Sequence, residues 1–256
     1  MGVGLMIAAG GCGSIYVRPA ADATRPLVVA GCDADPDRLA VDLVVLDWSG
    51  GVTPIYPDDD FPPLDLSTFI TADGRTLADD AERFMESVRT QVQRIYCESD
   101  GPCVRVEHAA DATEPAGATV YFTQAVSPVA SGQVGEGEYD PCNRQHDNAA
   151  VLFGERIRLL GGAYTFDEWV NVFANITAHE VGHALGYGHV MRAEWQTAGR
   201  SLYVELMLDG HTMGELRREQ RFLTEPHNCP DSETVARRQV EDPNPTGSMV
   251  DTAGGD

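Results

Sequence analysis

The chain has no lysine. All 18 of its basic residues are arginine, and 40 Asp and Glu stand against them, leaving a formal net charge of −22. That balance excludes nucleic acid as a partner, because binding phosphates needs a basic face. The acidity reads first as a solvated surface, and no function is drawn from the missing lysine. The other reading is calcium near Pro57–Phe61 ("PDDDF"), although no EF-hand loop is present. No CxxC pair occurs among the six cysteines, Cys12, Cys32, Cys97, Cys103, Cys142 and Cys229, so a structural zinc ribbon is not expected. No run of roughly 18 apolar residues is present either, so no membrane span is expected. Internal repeats are absent.

What is there suits one large domain with tails: 256 residues, 43% of them hydrophobic. Two readings of the cysteines stand side by side. Cys97 and Cys103 flank the turn-forming "ESDG" and can pair locally, with Cys142 and Cys229 closing a long loop, or all are buried thiols. Disulfides imply an oxidising compartment. The opening run "MGVGLMIAAGGCGS" resembles the end of a bacterial lipoprotein signal, with Cys12 as the lipid-carrying residue. "VVAGC", ending at Cys32, is the second candidate, but Asp22 and Arg25 interrupt the apolar run before it. The expected organisation is a signal-like N-terminus and linker over 1–38, a folded domain over 39–229, and a disordered polar tail over 230–256.

Along the domain, β-branched Leu39–Gly50 predicts a first strand. A Pro- and Asp-rich loop follows over 51–72. Leu77, Ala81, Phe84, Val88, Val92 and Ile95 recur at three-four spacing, which predicts a helix behind a Thr76 cap. Strands are expected at Cys103–Ala109, Ala118–Val126 and Ala149–Phe153, with an edge strand within Ser131–Tyr139. Thr165 and Glu168 form a capping box for a helix over Phe166–Leu185 that stops at Gly186. A last helix, capped by Thr212, is expected over Thr212–Leu223.

The second long helix carries the chemistry. "ITAHEVGHALGYGHV" (Ile176–Val190) holds three of the seven histidines. His179 and His183, four apart, share one helix face and can bind one metal. After Gly186 the chain can reverse and bring in His189 as a third ligand. Three neutral imidazoles leave a fourth zinc position open for water, the arrangement of a catalytic site. Zinc lowers the pKa of that water, Glu180 takes its proton as general base, and the expected reaction is amide hydrolysis. His108, His146, His211 and His227 read as surface or hydrogen-bonded residues. His146 with Asp147 and Asp140 has no convincing spacing for a second metal site.

His179-Glu180-x-x-His183-x-x-Gly186-x-x-His189 matches H-E-x-x-H-x-x-G-x-x-H, and the chain resembles the metzincin zinc peptidases, their matrixin branch most. The resemblance implies an α+β, zincin-like fold: a twisted mixed sheet, two long helices, a Met-turn beneath the zinc and a C-terminal helix. It implies Met207 as the Met-turn residue, with Met213 second, and substrate lying against the edge strand. Val190 follows His189 where the well-known branches carry Ser, Asp or Glu. The expected protein is a monomeric, extracytoplasmic zinc endopeptidase acting on proteins or peptides, with a lipid anchor at Cys12. The alternatives are a non-catalytic zinc-binding surface lipoprotein, or a zinc hydrolase or aminopeptidase with another substrate. A gluzincin-type site would recruit Glu194 or Glu205 instead of His189.

Overall fold

Leu43, Val44, Val45 and Leu46 are apolar at successive positions, so a strand built from them buries both faces, as the centre of a parallel sheet does. In the computed structural model they form β1 (Leu43–Asp47). The structure describes residues 15–16, 28–29, 43–98, 104–129, 132–138, 147–185, 187, 189, 204–207, 211–218 and 220–221. Helix α1 (Ala81–Glu98) follows a 3-10 turn over Leu77–Asp80, with the Asp79 carboxylate accepting the Thr76 N–H at 2.8 Å. Then come β2 (Arg105–His108), β3 (Ala118–Thr123), β4 (Gly135–Gly137) and β5 (Asn148–Phe153). Helices α2 (Gly154–Leu160), α3 (Phe166–Ala184) and α4 (Met213–Leu216) complete the chain order.

The five strands lie in the order β2-β1-β3-β5-β4. All neighbours pair parallel except β4, which runs antiparallel to β5 at the edge. The chain is thus a mixed α/β fold on a mostly parallel sheet. Strand alternation divides the two faces. Val44, Leu46, Val120, Phe122, Ala150 and Leu152 point to the side where α1 and α3 pack, bringing Phe84, Val88, Val92, Ile95, Val172, Phe173 and Ile176 into one core. Phe84 and Phe173 meet edge to face at 5.4 Å across the two helices. Each such side chain contributes about 1.5–3 kcal/mol by leaving water. The opposite face carries Val151 and Phe153 under Tyr56 and Phe61, which the Pro- and Asp-rich segment supplies.

Several elements differ from the sequence expectation. Residues 51–72 are not all loop: Gly51–Val52 pairs with Asp60–Phe61, and Leu66–Thr68 makes a 3-10 turn. Helix α2 was not expected, because its cap, Phe153, has no side-chain acceptor to signal a start. The last helix is a single turn rather than twelve residues. Asn175 Nδ2 donates to the carbonyls of Leu216 and Arg218 at 2.7 Å each, and Asn171 Nδ2 to that of Arg217 at 3.1 Å. These side chains take the acceptors a longer helix needs. The chain re-extends as Gln220–Arg221, parallel to Val204–Glu205. Within the expected linker, Ile15–Tyr16 pairs with Val28–Val29. Cys97 is disulfide-bonded, and the other five cysteines, Cys12 among them, lie outside the described residues, as does the 230–256 tail. Among the described residues no helix is long and apolar enough to cross a membrane.

Candidate metal centre

Helix α3 starts and ends by local rules. The Thr165 hydroxyl accepts the Glu168 N–H at 3.2 Å, and the Glu168 carboxylate accepts the Thr165 N–H at 2.9 Å, closing the capping box. At the other end the Tyr187 N–H reaches back to the Gly182 carbonyl at 2.8 Å, the long bond of a Schellman turn. Gly186, the expected helix-ending residue, lies between these partners and outside the described residues. From Asn175 to Ala184 the helix is buried throughout, so its polar groups need partners inside the protein.

The helix reversal serves the histidines directly. His183 Nδ1 donates to the Tyr187 carbonyl at 2.8 Å, and His179 Nδ1 donates to the Leu206 carbonyl at 2.8 Å. A carbonyl oxygen only accepts, so both Nδ1 atoms carry the hydrogen and both Nε2 atoms present lone pairs. His189 closes the group: its Nε2 lies 3.0 Å from that of His179 and 3.2 Å from that of His183. The structure therefore brings together all three histidines expected as ligands, their ligand atoms lying within 4.8 Å of one another.

A metal ion fits this arrangement. Three nitrogens about 2.0–2.1 Å from a tetrahedral ion stand about 3.3 Å apart. A single proton on His189 Nε2 must be shared between the lone pairs of His179 and His183. A cation uses all three lone pairs at once. Protonation is also opposed electrostatically. Burial holds His179 well below its ordinary value, with the three neighbouring histidines adding to it. Burial brings His183 down to about 3, with His189 contributing, and His189 down to about 4, with His211 contributing. Neutral imidazole is the form that ligates metal.

Glu180 follows His179 on the helix and is itself buried. Its surroundings depend on missing side chains in β4. A Cβ at Gly135 would stand 2.6 Å from Glu180 Oε1, and one at Gly137 would stand 2.8 Å from the Glu180 carbonyl. The two glycines let the edge strand lie directly on this turn of α3. Burial pushes the Glu180 carboxyl up to about 8, and the Glu136 charge adds to the rise. Glu136 itself turns to the other face of the strand, where it accepts a short hydrogen bond from the Tyr56 hydroxyl.

Met207 packs against the helix that carries His179 and His183. Gly182 lies three residues after His179, on the same side of α3, and a Cβ there would stand 2.6 Å from Met207 Sδ. Met213, the second candidate, is in the first turn of α4 and belongs to the same core.

Sequence reasoning did not point to the Leu206 carbonyl, and it read His211 only as a surface or hydrogen-bonded residue. His211 is buried, donates through Nε2 to that carbonyl at 2.9 Å, and sits 5.8 Å from His179, ring to ring. No sequence spacing marks a backbone acceptor, and a histidine before a capping threonine carries no signal of its own. His108 accepts from Trp48 Nε1 at 3.3 Å, in line with a hydrogen-bonded role. Asp58, Asp59 and Asp60, where calcium was considered, are exposed and form no metal-binding group. Asp140, His146, Val190, Glu194 and His227 lie outside the described residues. No family model matches the chain, and no curated protein matches it.

Proposed function

We propose that the chain is a zinc-dependent endopeptidase of the metzincin type with a zincin-like fold, working outside the cytoplasm. The observation that carries this reading is the convergence of three neutral histidine Nε2 atoms next to a buried glutamate on one helix. His179, His183 and His189 hold the ion. When bound, zinc supplies a Lewis acid for a scissile carbonyl and makes water a nucleophile near neutral pH.

Ionised by the positive charge of an ion held beside it, Glu180 would take a proton from the attacking water and return it to the leaving amine nitrogen as the C–N bond breaks. Strand β4 holds the substrate main chain. Phe153 N–H bonds to Val134 O and Glu138 N–H to Ala149 O, both at 2.9 Å, so the ladder leaves the polar groups of Gly135 and Gly137 turned away from β5. An extended peptide can add there as a further strand. Met207, packed on α3 at Gly182, takes the place of the Met-turn residue. A non-catalytic zinc protein has no task for a buried carboxyl at Glu180, whose desolvation is costly.

Mass-spectrometric mapping of cuts in N-acetylated peptides tests the endopeptidase reading. Internal cuts are expected, and no cleavage of the acetylated peptides with stepwise trimming of their unblocked counterparts would point to an aminopeptidase instead.

A further inference from the structure

His211 lies outside the three-histidine group, and so does the glutamine that holds it. Gln220 Nε2 donates to His211 Nδ1 at 3.3 Å. That contact leaves the His211 hydrogen on Nε2, which donates to the Leu206 carbonyl at 2.9 Å. The same oxygen accepts the His179 Nδ1 hydrogen at 2.8 Å. Both lone pairs of one carbonyl are therefore used, one by a proposed metal ligand and one by His211. All four residues are buried, none exposing more than 1% of its surface.

The surrounding elements hold this chain of contacts in place. Gln220 is fixed by the parallel pairing of Val204 with Gln220, in the strand that leads into Leu206. His211 immediately precedes Thr212, whose hydroxyl caps α4. The two Asn175 bonds tie the end of α4 back to α3, five residues before Glu180 and eight before His183. The segment that carries Leu206, the segment that carries His211 and the helix that carries two ligands meet at one oxygen.

We propose that His211 and Gln220 are positioning residues for the metal centre, holding the Leu206 carbonyl where it fixes the tautomer and ring plane of His179. The inference rests on the metal-site reading above. Ligating histidines are commonly oriented through the other ring nitrogen, and losing the group that orients them costs roughly 10–100-fold in metal affinity. Here the orienting group is a backbone carbonyl, which mutation cannot remove, so its own second donor is the accessible point of control.

The test reads metal binding rather than activity. The full chain is stripped with a chelator, and Zn2+ affinity is measured by competition with a chromophoric chelator. The Co2+-loaded protein gives a visible absorption spectrum that reports ligand geometry. His211→Leu is expected to lose roughly tenfold or more in Zn2+ affinity and to shift the Co2+ bands. His211→Gln, whose side-chain amide can donate to Leu206 O, is expected to recover most of both. Gln220→Leu is expected to lose less than His211→Leu.

A purely structural His211 lowers the unfolding temperature of the metal-free protein in these variants and leaves Zn2+ affinity unchanged. A folded His211→Leu protein with wild-type affinity and Co2+ spectrum overturns the proposal, as does His211→Gln binding no better than His211→Leu. Should His211→Leu fail to fold, long-range 1H–15N spectra of the wild type decide, with the His211 hydrogen expected on Nε2. A hydrogen found on Nδ1 overturns the proposal. Wild type that takes up no Zn2+ sinks the metal-site reading itself, an outcome distinct from the others.

Discussion

Met207 Sδ occupies the space that a side chain on Gly182 would fill, 2.6 Å from the position of its Cβ. In an unconstrained helix Gly→Ala gains about 1 kcal/mol of propensity. Here the added methyl meets a sulfur with almost no exposed surface to move into, and overpacking costs about 1–3 kcal/mol. Gly182→Ala is therefore expected to be destabilising in urea unfolding and to weaken Zn2+ binding. In a Met207→Ala background the same change should cost less or turn favourable, because the clashing atom is gone.

The glycines of β4 separate catalysis from metal binding. A methyl at Gly135 meets the Glu180 carboxylate, a movable group, whereas one at Gly137 meets the Glu180 backbone carbonyl, which cannot give way. Gly135→Ala is expected to keep its zinc and lose at least tenfold in kcat as Glu180 is displaced, since each factor of ten corresponds to about 1.4 kcal/mol. Gly137→Ala is expected to lower the unfolding temperature more than Gly135→Ala does.

Asn175 ends α4 through the buried carbonyl of Leu216 and the part-buried carbonyl of Arg218. Asn175→Leu leaves both without that donor, at about 1–3 kcal/mol for the buried one and less for the one nearer water. A loss of roughly 1–4 kcal/mol in urea unfolding is expected. Equal stability of the two proteins would show that the carbonyls find other donors.

The metal-free protein should have a stability maximum in pH. His183 and His189 are held below their ordinary value, so the unfolded chain binds more protons below about pH 6.5 and stability rises with pH there. Glu180 is held above its ordinary value, up to about 8, so the folded chain binds more protons from about pH 4.5 upward and stability falls with pH. Between about pH 6.5 and 8 only the Glu180 slope remains. Chelated wild type should lose stability across that window, and Glu180→Gln should be flat there.

The strands and long helices of this fold were legible wherever apolar residues keep a period. Val88, Val92 and Ile95 marked one face of α1, and Thr165 with Glu168 marked the start of α3. The three histidines and Glu180 were legible because they share one helix and its reversal, where spacing alone sets direction. The order of strands was not, since nothing within Leu43–Asp47 says that β2 and β3 flank it. The end of α4 was misread because Asn171 and Asn175, more than forty residues away, take its carbonyls. His211 was passed over for a similar reason: its partner is a backbone oxygen, invisible to residue type.

The most direct measurement sets wild type beside Glu180→Ala, with zinc content and cleavage of a denatured-protein library determined on the same samples. The account predicts one zinc per chain in both proteins and cleavage by wild type alone. Zinc-loaded wild type that cuts nothing across a diverse library, or Glu180→Ala that cuts as fast as wild type, would contradict it.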